Sequence, residues 1–225
     1  MPVIFATLLA LACAALPVEA GIRITAFGDS LTQGFGLPAE EGFVPQLENW
    51  LHANGADDVT VINAGVSGDT TAGGRARIDW ALADEPDAII VALGGNDILR
   101  GIDPGTVREN LDAILAAIDG RGIPALLAGL PAPANYGADY KEAFDAIFPD
   151  LAEEHDAILF PNFLAGIGER LDDGRARDMM QEDGIHPNAA GVEAMVEAIG
   201  PAVLDLVERA RGVEVGEPVN SPPEG

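Results

Sequence analysis

Five apolar segments of strand length are the feature that most constrains how this chain can fold. Each is nearly continuous rather than alternating, as is typical of parallel strands buried on both faces of a sheet. The segments between them show helical spacing of apolar residues, so strand and helix alternate along the chain. We therefore predict an α/β fold, a three-layer α/β/α sandwich around a five-stranded parallel sheet. The five segments are residues 22–27, 59–62, 88–93, 124–130 and 157–160.

Four helices are predicted from the spacing of apolar residues. One of them has Asp103 as its N-cap and Pro104 at its first helical position. In the last one, Pro201 should kink the helix or restart it. Three of the apolar faces are Phe43, Val44, Leu47 and Leu51; Val107, Leu111, Ile114, Leu115 and Ile118; and Val192, Met195, Val196 and Ile199, while the fourth helix falls within residues 140–155.

The two ends of the chain differ from its middle. Residues 4–16 are apolar but too short a run to span a bilayer comfortably, and Ala20 ends a segment typical of a signal-peptidase site. We predict a signal peptide at residues 1–20 and an exported protein, periplasmic or secreted, although no Lys or Arg precedes the run. A lipoprotein cut before Cys13 is disfavoured because Ala10 stands where a larger aliphatic residue is usual. Residues 212–225 are predicted to be a flexible tail, which leaves one domain at residues 21–211.

Charge and cysteine content exclude several classes of protein. The 225 residues include 37 acids and 12 bases, for a formal net charge of -25. Such a chain repels nucleic acid and anionic bilayers, so we predict no nucleic-acid partner, and we favour a monomer. Because the apolar run at residues 4–16 is too short to span a bilayer comfortably, we also predict no stable membrane span. The only cysteine, Cys13, would be removed with the signal peptide, which leaves no thiolate nucleophile and no cysteine metal site.

Serine is scarce, which narrows the search for a nucleophile. Ser30 directly follows the first predicted strand, where open α/β sheets bind their ligands. Ser67 follows the second strand in a less sharply placed turn, and Ser221 lies in the predicted tail. A serine reacts only if a base, an orienting acid and oxyanion donors accompany it, so Ser30 requires partners elsewhere in the chain.

Among the three histidines, His186 has the best context for a base. His52 lies on the polar side of a predicted helix, and His155 is expected at a solvated helix end. Asp183 precedes His186 by three residues in a turn, so its carboxylate can accept a hydrogen bond from one ring nitrogen and leave the other as the base. This spacing is common by itself, and it gains weight from the serine at a strand end.

Three donors are candidates for an oxyanion hole. They are the backbone N–H of Ser30, the backbone N–H of Gly68 after the second strand, and the side-chain amide of Asn96 after the third. Each of these turns could also be purely structural. The neighbouring Asp29 and Asp97 are expected to hold their loops by local hydrogen bonds rather than to react.

Four short blocks, taken in order, resemble those of the SGNH (GDSL) hydrolases. They are Gly28-Asp29-Ser30-Leu31, Gly68, Gly94-Gly95-Asn96-Asp97 and Asp183-Gly184-Ile185-His186-Pro187-Asn188. Longer strings at residues 63–70, 93–101 and 133–137 look like the arylesterase, thioesterase I and lysophospholipase branch of that family. The resemblance covers residues 22–207. It implies a flavodoxin-like sandwich, a triad of Ser30, Asp183 and His186, an oxyanion hole from Ser30, Gly68 and Asn96, and no metal or cofactor.

The expected function is therefore a serine esterase that acts on small acyl esters or thioesters. An alternative within the family is a carbohydrate O-deacetylase, which would need a small polar pocket. An alternative from another class is a non-catalytic α/β ligand-binding protein, although no glycine-rich phosphate motif follows the first strand. Because strand-end loops surround the nucleophile, the predicted substrate-binding residues are Leu31, Ile98, Leu99, Pro133, Asn135 and Tyr136.

Overall fold

The computed structural model describes residues 21–168 and 175–214, and its five strands form a single sheet. All neighbouring strands are parallel, in the order β2-β1-β3-β4-β5. This is the flavodoxin-like order, so the predicted fold class is confirmed. The predicted signal peptide and most of the predicted tail lie outside the described residues. The strands are β1 (Arg23–Gly28), β2 (Thr60–Gly65), β3 (Ala88–Ala92), β4 (Ala125–Ala128) and β5 (Ile158–Phe160).

Helices cover both faces of the sheet and make a separate core on each. On one face, α2 and α8 pack with side chains such as Phe43 and Ile199 against Ile24 of β1. On the other face, α3, α5 and α6 cover Phe27 of β1, and Phe144 of α6 lies in the same core. The helices are α1 (Ser30–Gln33), α2 (Phe43–Ala53), α3 (Thr71–Leu82), α4 (Gly95–Arg100), α5 (Pro104–Asp119), α6 (Ala138–Glu154), α7 (Ala165–Gly168) and α8 (Ala189–Glu214).

The helix α3 was not predicted from the sequence. Its buried face is built largely from small or polar residues, including Thr71, Gly74 and Ala81, so the sequence carries no strong apolar stripe. The Thr70 side chain caps its first turn by accepting a hydrogen bond from the Gly73 N–H. The helix is therefore held by two large apolar residues, Ile78 and Leu82, together with small residues that let it approach the sheet closely.

The helix α8 runs without interruption through Pro201 to Glu214. Of the two predicted effects of Pro201, the restart is therefore wrong and the kink stays a prediction, and residues 212–214 of the predicted tail are helical. Proline removes one N–H donor from the helix, but Ile199 and Val203 on either side of it are fully buried and hold the helix against the sheet. In the described part of the chain, no helix has both the length and the apolar character needed to cross a membrane.

His155 lies at a helix end, but its side chain is not solvated as the sequence suggested. It is the C-cap of α6, its side chain is only 12% exposed, and its two ring nitrogens bond Asp112 and Asp119 of α5 at 3.0 and 2.5 Å. Burial lowers the pKa of His155, but the two carboxylates outweigh this effect and raise its pKa above the ordinary value. His155 therefore bridges two helices.

Candidate active site

The predicted site residues meet at the carboxyl edge of the sheet, above β1, β2 and β3. Ser30 opens α1 directly after β1, Gly68 lies in the loop after β2, and Asn96 lies in α4 after β3. The connections from β1 and β3 leave on opposite faces of the sheet, which opens the crevice where such sheets bind ligands. The loop that precedes α8 brings Asp183 and His186 to the same place.

Ser30, His186 and Asp183 form a continuous chain of hydrogen bonds. The Nε2 atom of His186 lies 2.9 Å from Oγ of Ser30, and its Nδ1 atom lies 2.6 Å from Oδ2 of Asp183. An ionised carboxylate only accepts hydrogen bonds, so Nδ1 carries the proton and Nε2 presents its lone pair to the serine hydroxyl. This is the tautomer that a general base requires.

The carboxylate of Asp183 is held by its own turn. Its Oδ1 accepts hydrogen bonds from the backbone N–H groups of Ile185 and His186 at 2.9 and 3.0 Å. The His186 N–H, the His186 ring and the Ile185 N–H together lower the pKa of Asp183 from 3.8 to about 2. Asp183 therefore remains ionised at neutral pH and fixes the histidine tautomer.

The three residues predicted to supply oxyanion donors line one cavity beside the triad. Within the described residues, neither the Ser30 N–H nor the Gly68 N–H donates a hydrogen bond to another residue. Gly68 has a φ of 83°, a conformation that favours glycine. The amide nitrogen of Asn96 uses one of its hydrogens on Asp29 and has a second one available. The arrangement can stabilise negative charge on a bound oxygen.

Asp29 joins the serine loop to Asn96. Its Oδ1 accepts from the Leu31 N–H at 3.0 Å, and its Oδ2 accepts from Nδ2 of Asn96 at 3.2 Å. The residue is only 3% exposed. Burial raises the pKa of Asp29 to about 6, against the opposing effect of these two hydrogen bonds. The expected supporting role of Asp29 therefore extends from its own loop to the amide of Asn96.

Asp97 makes its side-chain hydrogen bonds to another helix. It is fully buried, and its carboxylate accepts hydrogen bonds from the N–H and the hydroxyl of Thr71 at 2.9 and 2.7 Å. Asn110 donates to the same hydroxyl at 3.2 Å. This network ties α4 to α3 and α5, so Asp97 joins helices and does not hold its own loop by the local hydrogen bonds that were expected.

Ser30 and His186 border a cavity of about 340 Å³. Four of the six predicted substrate-binding residues line it: Leu31, Ile98, Leu99 and Pro133. A wider, open depression beside it shares some lining residues but contains neither Ser30 nor His186. The residues that line the cavity are Asp29, Ser30, Leu31, Ser67, Gly68, Gly95, Asn96, Ile98, Leu99, Leu130, Pro131, Pro133, Leu164, Ile185 and His186.

Asn135 and Tyr136, the other two predicted substrate-binding residues, do not line this cavity, and their roles stay predictions. Both belong to a 3-10 helix, Ala134–Tyr136, that precedes α6. The ring of Tyr136 packs instead against Tyr140, with centroids 5.0 Å apart. Position in a strand-end loop is therefore not sufficient to place a residue in the cavity lining, because the short helix turns Tyr136 toward α6.

The position of Ser67 differs from that of Ser30. Ser67 also lines the cavity, but its backbone N–H donates to Oε1 of Gln33 at 3.1 Å. The hydrogen bond from a serine hydroxyl to His186 is made by Ser30. The geometry therefore favours Ser30 as the nucleophile.

Two residues that support His186 were missed in the sequence. The ring of Phe35 lies 4.6 Å from the His186 ring, centroid to centroid. Gln181 donates from Nε2 to the carbonyl oxygens of Phe35 and Pro187 at 2.8 and 2.9 Å, and its N–H donates to the His186 carbonyl at 2.7 Å. Neither residue belongs to a recognisable motif, so only the folded loop reveals them.

A possible cation cluster lies away from this site. Among the described residues, Asp112, Glu154 and His155 have ligand atoms close enough to share an ion. Glu154 already pairs with Arg108 at 2.6 Å, and His155 bridges two carboxylates. None of these residues lines the cavity beside Ser30.

The fold and this constellation define a class: an α/β protein with the serine, histidine and carboxylate arrangement of serine hydrolases. Residues 26–194 match the model of the GDSL-like Lipase/Acylhydrolase family. The chain belongs to this family, and it is an enzyme that hydrolyses ester bonds. The predicted family resemblance is thereby confirmed.

Several relatives are similar over most of their length. Esterase TesA of Pseudomonas aeruginosa is 38% identical over 181 residues, which cover 80% of this chain and 87% of TesA. The Escherichia coli K12 protein named thioesterase 1/protease 1/lysophospholipase L1 is 36% identical over 189 residues, 84% of each chain. The crystal structure of AlinE4, described as an SGNH-hydrolase family esterase, superposes with a TM-score of 0.68 at 46% identity, covering 82% of this chain and 96% of AlinE4.

Proposed function

We propose that this chain hydrolyses carboxylic esters or thioesters through an acyl-enzyme on Ser30. The observation that carries the proposal is the 2.9 Å contact between Nε2 of His186 and Oγ of Ser30, with Nδ1 of the same ring on Asp183. As Oγ bonds to the acyl carbon, Nε2 takes the hydroxyl proton and the carbonyl electron pair moves to the oxygen. The tetrahedral intermediate then expels the alkoxide or thiolate, which receives the proton from Nε2. Water attacks the acyl-enzyme by the same route.

The N–H groups of Ser30 and Gly68 and the amide of Asn96 are proposed to hold the oxyanion. This role is supported by their place around one cavity and by the available hydrogens described above. Asp183 is proposed to stabilise the imidazolium that forms when His186 accepts the proton, as an ionised carboxylate beside Nδ1 does. The reaction as proposed uses only these protein groups and water.

The cavity composition supports an acyl chain as the group that is bound. Leu31, Ile98, Leu99, Leu130 and Pro133 contribute apolar surface beside Ser30. An apolar pocket with a few polar groups favours an acyl chain over an acetylated sugar, whose hydroxyl groups need hydrogen-bond partners. We therefore propose that the substrates are acyl esters and thioesters, and not the acetylated sugars that a carbohydrate O-deacetylase would act on.

A ring of exposed apolar side chains extends the proposed substrate contact beyond the cavity. Leu99 and Ile185 line the cavity and are 59% and 47% exposed. Phe35, against the His186 ring, is 47% exposed, and Val66 beside Ser67 is 42% exposed. Exposed apolar surface around a binding cleft is typical of a ligand site. The part of an acyl chain that exceeds the cavity can lie on this ring.

We further propose that residues 1–20 are a signal peptide and that the mature enzyme is exported and monomeric. The sequence of the amino-terminal apolar run supports export, and the strongly acidic surface supports a monomer. Mass spectrometry of the protein recovered from a periplasmic fraction tests the cleavage after Ala20. An intact amino terminus there would contradict it.

One substrate panel tests the proposed activity. It compares p-nitrophenyl esters of increasing chain length, acyl thioesters, lysophospholipids and acetylated xylan. We expect hydrolysis of acyl esters and thioesters with little release of acetate from xylan, because the cavity is largely apolar. Preferential deacetylation of xylan would contradict the substrate class but not the serine mechanism.

A further inference from the structure

Arg77 binds three parts of the chain that meet beneath the candidate active site. It projects from α3, and its side chain is 18% exposed. Its Nη2 donates to the carbonyl oxygen of Gly28 at 2.9 Å, its Nη1 to that of Ala64 at 2.9 Å, and its Nε to Oδ2 of Asp69 at 2.6 Å. The acceptors lie at the end of β1, in β2 and in the loop after β2.

These acceptors are close in sequence to two groups of the proposed mechanism. Gly28 stands two residues before Ser30, and Asp69 directly follows Gly68. The Gly28 carbonyl also accepts from the N–H of Val66 at 3.0 Å, where the chain leaves β2. Arg77 therefore lies at the joint between the nucleophile loop and the loop of one proposed oxyanion donor.

The guanidinium group suits this position because its geometry is rigid. Its three nitrogens are fixed in one plane, so three acceptors bound to different nitrogens are held at fixed relative positions. The guanidinium carbon also lies 4.0 Å from the centroid of the Phe27 ring, a cation–π contact that fixes its depth. A lysine at this position would keep the charge but not the planar fork.

We propose that Arg77 is a positioning residue that sets the distance between Oγ of Ser30 and the N–H of Gly68. Arg77 does not line the cavity, so it acts through the two loops and not on the substrate. The inference rests on the proposed function of Ser30 and Gly68. Its consequence is that loss of the fork lowers the rate of the chemical step while substrate binding is retained.

The test measures kcat per competent active site in Arg77→Lys. The number of competent sites is obtained by labelling the enzyme to completion with a fluorophosphonate. A displacement of one loop by a fraction of an ångström should lower kcat per labelled site by about 10–100-fold with little change in KM. Arg75→Lys is the matched control on the same helix, because the side-chain hydrogen bond that Arg75 makes within the described residues goes to Asn110, at 3.3 Å, and to neither loop. That variant should match the parent protein.

The outcomes separate this inference from the proposed function. Failure of the parent protein to label or hydrolyse esters removes the proposed function itself. An active parent with normal kcat per labelled site in Arg77→Lys, even with fewer labelled sites, overturns the positioning role and leaves only a structural one. If Arg77→Lys does not fold, Asp69→Asn decides: a several-fold lower kcat per site at unchanged KM supports the inference, and an unchanged kcat overturns it.

Discussion

Replacement of Asp29 by Asn should separate two effects of this buried acid: it should remove a pH-dependent loss of stability, and it should lower activity. Burial raises the pKa of Asp29 from 3.8 to about 6, so between these values the native state holds a proton that the unfolded chain has released. The free energy of unfolding therefore falls as pH rises through this interval, and above the folded pKa the ionised acid destabilises the native state. Over the whole interval the cost approaches about 3 kcal/mol, because each pKa unit corresponds to 1.36 kcal/mol.

The effect on stability is measured as a difference between two pH values. Integration of the two titration curves from about pH 5 to about pH 7.5 gives about 1.4 kcal/mol. The free energy of unfolding in urea, taken as Asp29→Asn minus the parent protein, should therefore rise by about this amount between the two values. Effects of the substitution that do not depend on pH cancel. An equal difference at both pH values would refute the raised pKa of Asp29.

The effect on activity follows from the hydrogen bonds of the same side chain. The carboxylate accepts from both the Leu31 N–H and the Asn96 amide, whereas an asparagine can accept with only one of its two terminal atoms. In either orientation of the new side chain, its NH2 group faces one of these two donors. To relieve this contact, either Asn96 rotates or the serine loop shifts. We expect kcat to fall on the order of 10–10²-fold, less than the 10²–10³-fold that outright loss of an oxyanion donor costs, because Asn96 is displaced and not removed.

Two controls make this activity assay specific. Asp103→Asn changes an exposed N-cap acid to a residue that also caps helices, so neither stability nor ester hydrolysis should change appreciably. Asp29→Asn combined with Asn96→Ala should cost less than the sum of the single effects, because both act on the same donor. Strictly additive losses would contradict the proposed link between the two residues.

Three further predictions concern single residues. Ser30→Ala should abolish ester hydrolysis and fluorophosphonate labelling with the fold retained, and loss of the label in Ser67→Ala instead would identify a different nucleophile. Asn96→Ala should lower kcat on the order of 10²–10³-fold in a steady-state assay, and a near-normal rate would remove it from the oxyanion hole. His155→Gln should destabilise the protein more in acid than in alkali, because a raised histidine pKa contributes stability that is complete below the unfolded pKa and is lost as pH rises through the folded one. A pH-independent loss in urea titrations would contradict that account.

The order of strands and helices could be predicted because large apolar residues mark most of them. Helix α3 could not, because residues such as Gly74 pack closely with little apolar side chain of their own. The role of Arg77 could not be predicted for a different reason: its partners include two backbone carbonyl groups, which any residue could supply. Hydrophobic patterns predict burial, but they do not predict which backbone groups need a partner.

The part of the candidate site that could be predicted from the sequence consists of the residues that lie in short motifs. The structure brings Ser30, His186 and Asp183 together, and their catalytic roles remain predictions. The apolar residues around them were only partly foreseen, because the direction of a loop side chain depends on its neighbours. Tyr136 turned toward α6, whereas Ile185, within a recognised motif, lines the cavity without having been singled out.

The two hydrogen bonds of His186 differ greatly in the length of chain that they close. The bond to Asp183 spans three residues, whereas the bond to Ser30 spans 156. The base and its orienting acid therefore belong to one short loop. A shift of this loop changes the distance from His186 to Ser30 without altering the histidine tautomer. Assembly of the proposed triad thus depends on docking one loop against one strand end, rather than on bringing three independent segments together.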